Sequence, residues 1–127
     1  LLKAGVPAEK LVIGGAFYTR QWKNVENINN GLYQAGEHFE GVDFKNYAKT
    51  YTEANGWKYF WDDKAKAPYW YNAQTKTFAT SDDLKSIKAK AEYVKAKKLG
   101  GIMFWELTLD SFRDGMVNEI YKVKTGK

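Results

Sequence analysis

The sequence predicts an α/β fold interrupted by an α+β insertion, on three observations. Leu11-Val12-Ile13-Gly14-Gly15-Ala16-Phe17-Tyr18 is a continuous apolar run with glycines, as expected of a strand buried on both faces of a parallel sheet. Leu99-Gly100-Gly101-Ile102-Met103-Phe104-Trp105-Glu106-Leu107 closes a lysine-rich helical pattern with two glycines, then runs apolar into a tryptophan and a carboxylate. Between these two segments, short aromatic runs joined by tight polar turns predict an antiparallel meander. Ligands of parallel α/β folds bind at the C-terminal ends of the strands. A large aromatic beside an acid at such an end suggests a sugar site.

The elements follow in order. Leu1 to Gly5 reads as the last turn of a helix, ended by Gly5 and Pro7, and with no initiator Met the chain reads as a piece of a longer protein. Gln21 to about Gly41 dissolves into Asn, Gly and Glu and reads as loop. Asp43 to Ala54 is a short amphipathic helix, with Phe44, Tyr47, Ala48 and Tyr51 on one face, ended by Asn55-Gly56. Trp57–Asp62 and Pro68–Tyr71 are strands joined by the turn Asp63-Lys64-Ala65-Lys66, and Lys76–Ala79 is a third strand. Thr80-Ser81-Asp82-Asp83 starts a helix whose buried stripe is Leu84, Ile87, Ala91 and Val94. Leu99-Gly100-Gly101 ends that helix through residues that tolerate positive φ. The strand Ile102–Leu107 follows, then a helix from about Asp114 to Lys122 with Met116, Val117, Ile120 and Tyr121 on its apolar face. Without the insertion two βα units remain, too few to close a barrel, so the pattern is part of a larger α/β domain.

Composition narrows the function. The 127 residues contain no cysteine and no apolar run long enough for a membrane span, so no membrane association is expected. The net charge of +5 comes largely from lysines on one helix, with only two arginines in the chain, which argues for a solvated face and against nucleic acid. His38 is the only histidine and no ligand cluster accompanies it, so neither a metal nor a Ser-His-Asp triad is expected. Five Trp, nine Tyr and seven Phe are the real deviation. Trp57, Tyr59, Phe60, Trp61, Tyr69, Trp70 and Tyr71 are interleaved with Asp62, Asp63 and lysines, an arrangement suited to the apolar faces and hydroxyl rims of sugars.

Three segments together resemble the family-18 glycoside hydrolases, the chitinases. Lys10-Leu11-Val12-Ile13-Gly14-Gly15-Ala16-Phe17-Tyr18-Thr19-Arg20 resembles the family's seventh-strand motif, with Ala16 and Thr19 where the family usually has Pro and Gly. Ser86-Ile87-Lys88 through Trp105-Glu106-Leu107 resembles its seventh helix and eighth strand, with Thr108 where an Asp often stands. Trp61-Asp62-Asp63, Ala67-Pro68-Tyr69 and Tyr71-Asn72 resemble the chitinase insertion domain. The resemblance covers nearly the whole chain. It implies residues 1–20 and 80–127 as the strand 7 and 8 part of an incomplete TIM (β/α)8 barrel, and 21–79 as the insertion domain.

The resemblance further implies a secreted, extracellular parent that cleaves β-1,4-linked N-acetylglucosamine polymers, with retention and with the substrate's own N-acetyl group as nucleophile. The alternative is a chitinase-like lectin that binds the same sugars without cleaving them. The family's Asp-x-x-Asp-x-Asp-x-Glu string, which carries its proton donor, and its sixth-strand Met-x-Tyr-Asp are both missing, so no catalytic residue is expected in this chain. No cofactor is implied.

The implied substrate-binding residues are Trp105, Tyr18, Arg20, Trp61 and Tyr69. Trp105 matches the tryptophan that floors the subsite of the distorted sugar. Half-burying one indole face, about 80 Å², contributes about 2 kcal/mol at about 25 cal/mol/Å². Tyr18 and Arg20 match residues lining the cleft beside it, and strand alternation puts them on one side. Arg20 has an ion pair with an acid of the insertion as its equal alternative. Trp57, Trp61, Tyr69 and Tyr71 belong to the insertion, and alternation lets only about half of these face a cleft. Glu106 alternates away from Trp105 and reads as structural, whereas Asp110 fits either a helix cap or a ligand contact. A barrel fragment also exposes strand edges, through which a dimer or an exchange of elements is expected.

Overall fold

The computed structural model describes residues 1–126. Its first strand, β1 (Val12–Ala16), runs parallel to its last, β7 (Gly101–Trp105), with Val12 opposite Gly101 and Ala16 opposite Trp105. Five antiparallel strands lie between them in sequence: β2 (Arg20–Lys23), β3 (Glu37–Phe39), β4 (Trp57–Asp62), β5 (Ala67–Asn72) and β6 (Thr77–Thr80). They form one sheet in the order β3-β2-β6-β5-β4. Helices α1 (Tyr47–Thr50), α2 (Leu84–Lys97) and α3 (Met116–Thr125) complete the regular structure.

Local chemistry explains most boundaries. Asp62 Oδ1 accepts the backbone N–H groups of Lys64 and Ala65, and Asn72 Oδ1 accepts those of Gln74 and Thr75. These side-chain turns reverse the chain between β4 and β5 and between β5 and β6. Asp83 and Ser86 form a reciprocal capping box at the start of α2. The helix does not end through a glycine as expected. Lys98 takes the left-handed conformation at φ 53°, and its N–H bonds Lys95 C=O at 3.2 Å. Gly100 is required for close approach instead, because a Cβ there would collide with the Glu9 carbonyl.

Two stretches depart from the sequence reading. Residues 21–41 are not all loop: β2 joins β6 with Trp22 opposite Phe78, and β3 joins β2 with His38 opposite Trp22. The amphipathic segment after Asp43 forms only one turn of α-helix, between 3-10 turns at Phe44–Asn46 and Glu53–Asn55. Phe44, Tyr47 and Tyr51 still pack inward, while Ala48 is exposed.

Two apolar clusters hold the molecule. Phe17, Ile87 and Met116 lie where α2 and α3 cover one face of the parallel pair, and Phe17 stacks on Phe104 at 4.8 Å. Tyr47, Trp57, Trp70 and Ala79 form the second cluster, against one face of the antiparallel sheet. Phe44 packs against both and so joins them. The expected helical stripes hold in part: Ile87 and Ala91 are buried, but Leu84 and Tyr121 are exposed. The parallel strands are covered on one face only, with Val12, Met103 and Trp105 exposed. The expectation of β1 buried on both faces is corrected here, because both flanking helices lie on the same side of the pair.

Candidate functional site

The exposed face of the parallel pair ends in a concavity of about 380 Å³ lined by Tyr18, Thr19, Arg20, His38, Gly41, Asp43, Trp105 and Leu109. Its geometry begins in the strand register. Phe17 N–H donates to Trp105 C=O at 2.9 Å, which keeps the two strand ends level. Tyr18 then bridges Asp43, and Thr19 N–H bonds Val42 C=O at 2.8 Å, so the segment before α1 forms the opposite rim. Gly41 is a position where only glycine fits, since a Cβ would collide with the Thr19 carbonyl. Trp105 is 62% exposed and therefore displays its indole rather than filling a core.

Thr19 is fully buried. Its hydroxyl accepts Val42 N–H at 2.9 Å and shares a hydrogen bond of 2.6 Å with Tyr51 OH. Burial pushes the Tyr51 phenol up to about 12, and the bond to Thr19 opposes that rise. Lys45 Nζ reaches both Asp43, at 3.6 Å, and Thr108 C=O, at 2.8 Å, tying the rim to the loop after β7.

The other expected residues are placed as follows. Among the described residues no carboxylate lies within ion-pair distance of Arg20, so the alternative of an ion pair with the insertion is not formed. Arg20 also lines a neighbouring hollow with Tyr18, Ala67 and Thr80. That hollow shares Ala65, Ala67 and Thr80 with a cavity of about 540 Å³ whose lining includes Trp22, Tyr33, Asp62, Tyr69 and Phe78. Tyr69 is only 7% exposed, stacked between Phe60 and Phe78 at 5.1 and 5.5 Å. Trp61 is not brought to the site. Alternation along β4 sends it to the opposite face, where Lys85 Nζ sits 3.7 Å from its ring centroid.

The acids near the strand end are engaged in structure. Thr108 Oγ1 donates to Glu106 Oε1 at 2.5 Å. Asp110 accepts the N–H groups of Met116 and Val117 at 2.8 and 3.0 Å, which decides its role as a cap of α3. Among the described residues three carboxyls are held below their ordinary range. The Asn24 amide and then Lys23 lower Glu37, the Ala65 N–H lowers Asp62, and Lys66 lowers Asp63. None of these is held protonated as a general acid must be. Among the described residues no group of three or more His, Cys, Asp or Glu side chains is arranged to hold a metal ion. His38 and Asp43 were not singled out from the sequence as site residues. Their signal is the pairing of Tyr18 with Asp43 and of Trp22 with His38, which local pattern does not reveal.

The site thus offers an indole face, a phenol, a guanidinium and a carboxylate around one shallow concavity, a set suited to stacking on and hydrogen-bonding a sugar ring. Residues 1–110 match the family model for glycosyl hydrolases family 18. The chain belongs to this family. It is 44% identical to Chitinase A1 of Niallia circulans over 117 residues, covering 86% of this chain and 17% of that protein. The fold is similar to that of a family-18 N-acetylglucosaminidase from Paenibacillus barengoltzii, at 44% identity and TM-score 0.84, over 96% of this chain and 36% of that one. It is similar too to chitinase ChiA74 from Bacillus thuringiensis, at 34% identity and TM-score 0.89, over 98% of this chain and 24% of that one. The family-18 chain therefore spans well under half the length of each of these relatives.

Proposed function

We propose that this chain forms one wall of the substrate cleft of a secreted, chitin-degrading glycoside hydrolase. In this reading β1 and β7 are the seventh and eighth strands of a TIM barrel, and residues 21–79 are the insertion domain. A single observation carries it: Trp105 is displayed at the C-terminal end of β7, lines one concavity with Tyr18 and Arg20, and has no core role. The names of the relatives, two chitinases and an N-acetylglucosaminidase, support the choice of sugar.

Each residue has a part in binding. Trp105 provides the stacking floor, Tyr18 a phenol hydroxyl, and Arg20 donors for a sugar oxygen. Tyr69 contributes as support for the wall beyond Arg20, since its ring is enclosed. Trp61 is left out of the contact set by its face. Proton donation and the substrate-assisted step belong to residues outside this chain, so the chain alone binds sugar weakly and does not cleave it.

Calorimetry of the purified chain with N-acetylchitotetraose, followed by chromatography of the sugar after incubation, tests this. The expected result is binding in roughly the millimolar range with the tetramer recovered intact. Turnover that persists through rigorous purification and is lost in Trp105→Ala contradicts the division of labour. Absence of any binding up to saturating sugar contradicts the assignment of the wall.

A further inference from the structure

On the edge of β1 that points away from β7, side chains meet Gly14 C=O and both backbone groups of Ala16. Gly14 C=O accepts from Lys90 Nζ at 2.8 Å, and Ala16 N–H donates to Asp82 Oδ2 at 2.8 Å. Lys90 and Asp82 are themselves paired at 2.7 Å, and Ser86 Oγ donates to the other Asp82 oxygen at 2.8 Å. One residue earlier, Ser81 Oγ donates to Tyr18 C=O at 2.6 Å, with Ala16 C=O at 3.2 Å as its longer alternative. Tyr47 OH donates to the same Ser81 oxygen at 2.6 Å.

Asp82 is 3% exposed. A buried acid side chain is tolerated where it is paired and hydrogen-bonded, and here a cation, a hydroxyl and a backbone N–H all reach Asp82. Its position gives this arrangement a purpose beyond local satisfaction. Ser81 and Asp82 lie where β6 ends and α2 is about to begin. The residue they hold, Ala16, is opposite Trp105 and two residues before Tyr18. Neither Ser81, Asp82 nor Lys90 lines the concavity that contains Trp105.

We propose that Asp82, with Lys90 and Ser81, is a positioning group that sets Tyr18 and Arg20 against Trp105 by clamping the outer edge of β1. The proposal rests on the sugar-binding reading of those three residues.

The test uses the isotopically labelled chain, with amide exchange and N-acetylchitotetraose titration followed together by NMR. Asp82→Ala is expected to speed exchange of the Ala16 amide far more than that of amides in β5. Ser81→Ala, which leaves the capping box and the ion pair intact, is expected to shift the Tyr18 ring resonances and weaken sugar binding about tenfold without comparable loss of melting temperature. Lys90→Arg, which keeps the charge, is expected to retain both protection and affinity. The clamp is overturned if Ala16 exchange is unchanged in Asp82→Ala and Tyr18 is unmoved in Ser81→Ala. It is also overturned if affinity falls only in proportion to the unfolded fraction. A wild-type chain that binds no sugar, yet shows the Ala16 and Tyr18 effects, retains the clamp and removes only the sugar reading.

Discussion

The antiparallel module and the parallel pair use the same side chains for opposite ends. In the module Trp70, Trp57 and Tyr47 are buried: Tyr47 meets Trp70 edge-on, while Tyr51 stacks on Trp70 and meets Trp57 edge-on. In the parallel pair Trp105 is level with Ala16 and left exposed, because both helices lie on the other face. Aromatic content therefore does not itself mark a binding surface. What separates a core tryptophan from a displayed one is whether a second layer covers its face of the sheet.

Removing an enclosed ring tests the comparison most strongly. Trp70→Ala deletes the centre of the module's cluster and is expected to cost about 3–5 kcal/mol, measured by urea denaturation. A loss below about 1 kcal/mol would make the module's aromatics as dispensable to stability as an exposed one.

A second contrast concerns the buried phenols that join the two regions. The Tyr51 phenol rises from its ordinary 10.0 to about 12 through burial. The folded state then holds its proton more tightly than the unfolded state. Its stabilising contribution is complete below about pH 10 and is lost as pH rises through about 12. Tyr51→Phe is expected to flatten stability over that window and to cost about 1 kcal/mol through the lost hydrogen bond to the buried Thr19 hydroxyl. An unchanged alkaline profile would contradict the burial of this ring.

The junction between the regions supplies a smaller effect. Asp83→Ala removes half of the capping box that starts α2 and is expected to lower stability by about 1 kcal/mol. Chemical denaturation of this variant beside Ser86→Ala measures it, and equal losses in the two single variants and the double variant mark a shared motif.

Legibility in the sequence follows the range of the interactions. β4 and β5 were readable because alternation and the turn chemistry of Asp62 and Asn72 are local. The capping residues of α2 were readable for the same reason. β2 and β3 were not, since they are four and three residues long and depend on pairing with β6 and with each other. In the site, alternation puts Tyr18 and Arg20 on one side of the strand, and both line the concavity, but it says only that about half of the insertion's aromatics share a face. It carries no information on which face of β4 meets the cavity, so Trp61 was expected at a surface it does not reach. The turn at Lys98 was missed because left-handed lysine has no sequence mark, whereas neighbouring Gly100 answers a crowding by the Glu9 carbonyl that only the fold creates.

Trp105 and Trp61 decide the central claim. N-acetylchitotetraose affinity is to be measured for Trp105→Ala and Trp61→Ala, with the melting temperature of each. If the displayed ring is the sugar platform, Trp105→Ala loses about 2 kcal/mol of binding, roughly thirtyfold, at nearly unchanged stability, and Trp61→Ala binds as the parent does. Retained affinity in Trp105→Ala, or a loss confined to Trp61→Ala, would contradict the account.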